Sequence, residues 1–295
     1  MELALGPLLF NWSAERIEHF YAEIADESVF DRVYLGEVVC SKRMPFLEPA
    51  LVRSADRLAD AGKTVVWSTL ALPATEREQK LTRELADFDG EIEINDMSAV
   101  YARSGRAFTV GPYLNVYNEA ALAEMLSFGC VRLCPNIELS LDATAHLHRV
   151  SPTLPIELFA FGRLPLALSG RCYHARAEGL HKDACQFVCD KDPDGRTIAT
   201  VEGADFLAMN GVQTMSHGLH VAAVQVSSLR AAGVTALRLS PHNVDMLAVA
   251  AAFSAFLSGR IEAHELLSGL SGIGLPGPLI NGYLYGAPGH MAMPA

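Results

Sequence analysis

The chain has little positive charge and no basic run. Its 23 Lys and Arg stand against 34 Asp and Glu, a net charge of −11, and Lys/Arg never occur in more than a pair. Nucleic acid and anionic membrane surfaces need a concentrated positive footprint, so neither is expected as a partner. No apolar stretch approaches the ~20 residues of a bilayer span. The N-terminal run Leu3–Phe10 lacks the basic flank and small-residue cleavage site of a secretory leader. It reads as a buried strand, and the protein as cytoplasmic with no transmembrane segment. Gly6 stands alone in that run, so no dinucleotide fingerprint or phosphate loop follows the first strand. Nothing resembles a Ser/His/Asp order, a His-Glu-x-x-His zinc pair or a nucleophile elbow, the usual means of peptide hydrolysis.

What is present suits one large core. The 295 residues are half apolar and 19% charged, with positive mean hydropathy, which excludes disorder. Short β-rich runs alternate with amphipathic stretches. Strands are expected at 3–10, 32–38, 64–70, 91–95, 107–112, 131–135, 156–161 and 236–240. Helices are expected at 13–25, 49–61, 74–88, 118–128, 141–150, 221–232 and 244–257. Ser13 is placed to cap the first helix. Strands alternating with helices imply parallel pairing with right-handed crossovers. An open doubly wound sheet shares that alternation, but eight units in about 250 residues match a closed barrel. The expectation is a single α/β domain over 1–295, a TIM-type (β/α)₈ barrel. A long insertion, 162–220, follows the seventh strand and carries three of the six cysteines. Connections there usually run about two to six residues, and barrels put their chemistry on that side.

Six cysteines in a reducing compartment point to metal or redox use rather than a disulfide framework. Cys185 and Cys189 have i, i+4 spacing and would share a face on a helical turn. Cys172 lies in the same insertion, and Cys40 follows the second strand. A barrel would bring all four to its C-terminal rim. Four thiolates suit a 4Fe–4S cluster or a structural zinc. Zinc knuckles usually show two tight pairs, and only one close pair is present in this set. Cys130 and Cys134 repeat the spacing, but along a strand they stand ~13 Å apart at about 3.3 Å per residue, so they read as buried structural thiols.

The segments Glu157-Leu-Phe-Ala-Phe-Gly162 and Ser169-Gly-Arg-Cys-Tyr173, followed by Cys185 and Cys189, resemble the signature of the collagenase-like peptidase family. Members once labelled peptidases are associated with O₂-independent hydroxylation of RNA bases or quinone rings. The likeness extends through Leu5-Gly-Pro7, Gly36-Glu-Val-Val-Cys-Ser-Lys-Arg43, Phe159 to Arg176, Asn210-Gly-Val-Gln-Thr214 and Asn281-Gly-Tyr283. It covers essentially the whole chain and is greatest for the branch working in anaerobic ubiquinone biosynthesis. The resemblance implies a 4Fe–4S cluster on Cys40, Cys172, Cys185 and Cys189. It implies a heterodimer with a UbiU-like subunit, ubiquinone-precursor rings as substrate, and a non-O₂ oxygen donor such as prephenate. Hydroxylation of an RNA base, peptide hydrolysis and a non-catalytic cluster-bearing role are the rival readings.

Glu157 is expected inside the barrel, sharing a strand face with Phe159 and Phe161, either as an acid/base group or in an ion pair with Arg163 or Arg171. Tyr113, Asn115, Tyr117 and Asn118 follow the fifth strand, as loop and cap residues or as polar contacts for a substrate. His174, His181, His217 and His220 crowd the insertion; with four thiols at hand they are expected beside the ligands or in solvent, not as ligands.

Overall fold

The computed structural model describes residues 1–294. Eight apolar runs form strands that pair in parallel: β1 (Glu2–Leu5), β2 (Arg32–Leu35), β3 (Thr64–Ser68), β4 (Ile92–Ile94), β5 (Phe108–Val110), β6 (Cys130–Leu133), the start of β7 (Ile156–Leu168), and a last strand, Val234–Leu239. The last strand pairs with both β1 and β7, so the ring closes. The architecture is the expected α/β TIM-type barrel of eight parallel strands. Most barrel strands end earlier than the sequence suggested; β1 stops at Leu5, before Gly6-Pro7.

Outside the ring lie α1 (Ala14–Glu27), α2 (Met44–Asp60), α3 (Glu76–Ala86), α4 (Met97–Arg103), α5 (Glu119–Phe128) and α6 (Leu141–Val150). Short polar side chains start several of them, as N-cap chemistry dictates. Ser13 accepts from the Arg16 N–H, Asn118 from Ala121 and Ser140 from Ala143, while Thr75 and Glu78 form a reciprocal capping box. Helix α2 begins at Met44, with Pro45 in its first turn, rather than at Pro49. α4 had no counterpart among the expected helices.

The insertion differs most from expectation. β7 does not stop at Phe161 but continues to Leu168, on Leu-Pro-Leu-Ala-Leu alternation. After the short helix α7 (Tyr173–Ala177) come β8 (Arg196–Ala199), β9 (Asp205–Asn210) and β10 (Gln213–Val221). β10 returns antiparallel along β7, so an antiparallel arm projects from the barrel edge. Pro165 is tolerated inside β7 because the β7–β10 register shifts beside it. Val221 therefore ends a strand, and α8 starts later, spanning Val226–Ala231. The eighth barrel strand is β11 (Val234–Leu239), followed by α9 (Met246–Leu257), α10 (Ala263–Ser271), also unforeseen, and β12 (Leu279–Ile280), which pairs with β10. No helix among the described residues is long and apolar enough to cross a membrane.

Inside β7 a bulge changes which way side chains point. Arg238 pairs with Phe159 but Leu239 pairs with Phe161, so β7 holds one extra residue. Phe161 therefore leaves the face of Glu157 and Phe159. It packs outward with Leu158 and Ala160, its ring edge-on to Phe253 of α9 at 6.2 Å between centroids.

Candidate metal centre

Cys40 is delivered by a tight exit from β2. Gly36 has φ +122°, and a Cβ there would lie 2.6 Å from the Ser68 carbonyl oxygen, so only glycine fits. The buried Glu37 then folds the chain back, its Oε1 accepting from the Val39 and Cys40 N–H groups at 2.8 Å each. Cys172 stands at the N-cap of α7, its sulfur 3.5 Å from the Ala175 N–H. Cys185 and Cys189 do not share a helical turn. Gln186 and Phe187 between them adopt left-handed φ of 51° and 55°, which separates two short 3₁₀ turns. Backbone strain of this kind in non-glycine residues persists only where surrounding structure enforces it, and it concentrates at functional sites. Here the Phe187 ring packs edge-on against Phe46 of α2 at 5.0 Å.

These four cysteines line one recess, whose wall also includes Lys42, Arg43, Lys182, Phe187, Val188 and Gly211. Among the described residues no carboxylate lines it. Arg43 is buried; its Nη1 donates to the Leu9 carbonyl at 2.9 Å, its Nη2 to Asn210 Oδ1 at 3.0 Å and to the Cys189 sulfur at 3.6 Å. Burial pushes the Cys40 and Cys189 thiols up, against the pull of the Arg43 charge. A raised thiol pKa favours the protonated form, so any metal bound by these sulfurs would displace protons. Cys130 and Cys134 are buried elsewhere, Cys130 donating to the Arg132 carbonyl at 3.3 Å. Burial raises them to about 11 and about 12.

Thiols without carboxylates, ringed by three cations, suit a negatively charged thiolate-bound centre. Four thiolates are the donor set of a structural zinc as well as of a 4Fe–4S cluster. Among the described residues no group of three or more His, Cys, Asp or Glu is already drawn together to hold a single metal ion.

The insertion reaches Cys40 by crossing the loops of the two intervening strands. Asp194 accepts from the Asn243 N–H at 2.7 Å and meets His242 Nδ1 at 3.0 Å, beyond the end of β11. Beyond β1, the Trp12 indole donates to the Pro193 carbonyl at 2.9 Å. Lys42 Nζ then donates to the Lys182 carbonyl at 2.6 Å, beside Cys40 itself. On the opposite side, Gln213 Nε2 donates to the buried Tyr113 hydroxyl at 2.7 Å. The crossing covers part of the C-terminal mouth.

The sequence model of Peptidase family U32 matches residues 12–262, a span holding all four recess cysteines. The chain belongs to that family. Among solved structures it is similar to a candidate fructose-1,6-biphosphate aldolase from Coccidioides immitis, at 10% identity over 92% of this chain and 84% of the other, with a TM-score of 0.40. A phospho-2-dehydro-3-deoxyheptonate aldolase from Thermotoga maritima matches at 11% identity over 94% and 70%, TM-score 0.33. A truncated 3-deoxy-D-arabino-heptulosonate 7-phosphate synthase from the same organism matches at 10% over 95% and 89%, TM-score 0.34. Scores this low carry no argument; the barrel rests on the chain's own strand pairing.

In this U32 protein Glu157 points into the barrel, yet not beside the cysteines. Its Oε1 accepts from Arg238 Nε at 2.5 Å, and its Oε2 from Arg132 Nε at 2.6 Å and Tyr34 Oη at 2.8 Å. Arg238 also pairs with Glu93 at 2.5 Å and stacks over the Tyr34 ring at 4.0 Å. The expected partners Arg163 and Arg171 are not involved; Arg163 turns to backbone carbonyls of the arm and of Pro276. Burial raises the Glu157 carboxyl, but Arg238 and Arg132 outweigh it and hold the group below the ordinary carboxylate range. A carboxylate with both oxygens engaged and its charge compensated closes an ion-pair layer, the second of the two roles expected for it.

Asn118 caps α5, Asn115 accepts from Asn136 Nδ2 at 2.8 Å, and Tyr117 donates to Glu138 at 2.9 Å. These three are loop and cap residues; Tyr113 alone of the group faces the arm. Of the histidines, His174 is buried, accepting from the Gly211 N–H through Nδ1 at 2.8 Å and so donating from Nε2 to Asp192 at 3.1 Å. It braces the segment after Cys172 against the recess wall. His181 is exposed, and burial drives the His220 ring down to about 4. The Gly36–Arg43 motif by itself assigns Glu37 and Arg43 no role. Their signal is a carboxylate before Cys40 and two cations, Lys42 and Arg43, after it.

Proposed function

We propose that this U32 protein is a UbiV-type subunit. It would hold a 4Fe–4S cluster on Cys40, Cys172, Cys185 and Cys189 and act with a UbiU-like partner in a heterodimer. The process would be O₂-independent hydroxylation of ubiquinone-precursor rings, with prephenate as the candidate oxygen donor. One observation carries this reading. Two segments far apart in sequence bring four thiols, and no carboxylate, to a single cation-rimmed recess at the catalytic face of a barrel.

Bound there, a cluster supplies one-electron transfer. The chain's own residues would do the rest. Glu37 fixes the Cys40 backbone, His174 fixes the segment after Cys172, and the insertion limits access of water and oxidants. Peptide hydrolysis is less well supported. The recess thiols meet Arg43 and a backbone N–H, whereas a cysteine nucleophile is activated by an adjacent base. An RNA substrate suits a net charge of −11 poorly.

The test is anaerobic purification of the chain alone and with a UbiU-like subunit, iron and acid-labile sulfide analysis, and an O₂-free hydroxylation assay on a polyprenylated phenol. About four iron and four sulfide per chain are expected for that cluster type, with ring hydroxylation only when both subunits are present. Stoichiometric zinc without sulfide would overturn the cofactor assignment. Full activity of the partner alone would overturn the role in hydroxylation.

A further inference from the structure

Arg43 is the only guanidinium on the recess wall, and it differs from its cationic neighbours. Lys42 and Lys182 are partly solvent-exposed, whereas Arg43 is 1% exposed. Charge exposed to water is weakened by the high dielectric and screened over about 8 Å at physiological salt, but a charge held in the protein interior acts at much lower effective dielectric. Burying a guanidinium is costly unless it is paired and hydrogen-bonded. The fold supplies that support through Glu37 at 3.6 Å, the Leu9 carbonyl and Asn210. The support is incomplete, since Arg43 Nε is buried with no hydrogen-bond partner.

The surroundings hold the group in place from three sides. Asn210 is itself fixed by donating to the Leu9 carbonyl at 2.6 Å, the acceptor it shares with Arg43. Gly211, with φ +64°, lets the backbone pass where a Cβ would lie 3.2 Å from Arg43 Nη2. The Glu37 Oε1 is engaged by the Val39 and Cys40 N–H groups, and its charge acts on the Cys40 and Cys189 sulfurs against that of Arg43. The positive end of the ion pair is the end that reaches Cys189.

Resting on the cluster reading above, we propose that Arg43 is a positioning residue. It sets the reduction potential of the centre by presenting a buried positive charge and an N–H to the Cys189 sulfur. The sign follows from electrostatics. Adding an electron makes a thiolate-bound cluster more negative, so a fixed cation favours the reduced state and raises the potential; hydrogen bonds to the sulfurs act the same way. Removing that cation leaves the iron count unchanged and makes reduction harder.

The experiment is an EPR-monitored redox titration of the anaerobically purified full chain, with iron and sulfide counted on each sample. Arg43→Gln is expected to retain the cluster but to disfavour reduction at least tenfold, a fall of about 59 mV or more for a one-electron couple. Lys42→Gln and Lys182→Gln, removing water-screened charges, are expected to shift it less. If Arg43→Gln does not fold because Glu37 is left unpaired, Glu37→Gln/Arg43→Gln is compared with Glu37→Gln alone, and the same fall is expected between those two. A midpoint unchanged from its comparator, wild type or Glu37→Gln, in a cluster-loaded Arg43 variant, or a larger fall in either lysine variant, would overturn the role of Arg43. Wild-type protein that binds no iron and sulfide would instead overturn the cluster reading, so the two failures are distinguishable.

Discussion

Trp12 and Pro193 are joined by an indole N–H donating to a carbonyl at 2.9 Å, linking the loop that leaves β1 to the insertion that leaves β7. Trp12→Phe keeps an aromatic ring but loses that donor. A net cost of about 1 kcal/mol is expected for one hydrogen bond, concentrated in the insertion. Limited proteolysis should then cut residues 185–195 faster than in wild type. Unchanged cleavage there would show that the bond does not fasten the insertion.

Single Cys→Ala changes sort the thiols. Replacing Cys40, Cys172, Cys185 or Cys189 is expected to remove the visible iron–sulfur absorption, whereas Cys130→Ala and Cys134→Ala should keep it. The latter pair should instead lower the melting temperature, because each is a buried truncation that leaves a cavity. Iron lost from Cys134→Ala but retained by Cys40→Ala would disprove the ligand set.

Glu157→Gln tests the ion-pair layer. The change removes one of two carboxylate partners from each arginine, leaving Arg238 with Glu93 and Arg132 with Glu2. Breaking a buried pair typically costs about 3–5 kcal/mol, and the remaining partners put the expected loss at the low end. The folded carboxyl titrates below its ordinary 4.5. Its contribution is therefore fully present above that value and is lost as pH falls through the folded pKa. Urea unfolding as a function of pH should show wild type losing stability on the acid side and Glu157→Gln losing less. A variant as stable as wild type but without activity would restore an acid/base role.

His242 predicts a second pH window. Its Nε2 accepts from the Arg163 N–H at 3.1 Å and its Nδ1 meets Asp194 at 3.0 Å, so the buried ring is neutral. Burial lowers its pKa below 6.5, against the opposing pull of Asp194. The unfolded chain then binds more protons as pH drops, and the contribution, complete above about 6.5, fades below it. Hydrogen exchange at the Arg163 and Asn243 amides, corrected for intrinsic rate, should be faster at pH 5.5 than at 7.5. A His242→Asn variant should lose that difference, and equal rates in wild type would refute the assignment.

The barrel was legible because most of its strands are short, largely buried apolar runs, a pattern that needs no knowledge of its neighbours. Cys40 and the insertion cysteines were legible as one group for a similar reason, since topology alone sends strand ends two and seven to one rim. What escaped were relations made across space. Glu157 finds Arg132 and Arg238 on strands 25 and 81 positions away, so the nearby Arg163 misled. The bulge that turns Phe161 outward is marked only by Gly162 just beyond it, at φ +123°, which by itself does not say which residue is extra. The Cys185–Cys189 spacing looked helical because nothing in Gln186-Phe187 signals a left-handed pair; packing of Phe187 on Phe46 sets it. The antiparallel arm was hidden by Pro165, which normally argues against continuing a strand.

The crossing of the insertion over β11 and β1 also fixes the timetable of maturation. β1 and β11 meet at the barrel's seam, where the beginning of the chain joins a strand made near its end. Arg43 and Cys189, which touch in the finished protein, are 146 positions apart. His242, which clips the insertion down through Asp194, is translated later still. A ribosome releasing this chain from its N-terminus exposes Cys40 long before the other three thiols exist. The four thiols can meet only after Cys189 has been made, so a cluster held there as proposed would be assembled on a chain already extended past the insertion.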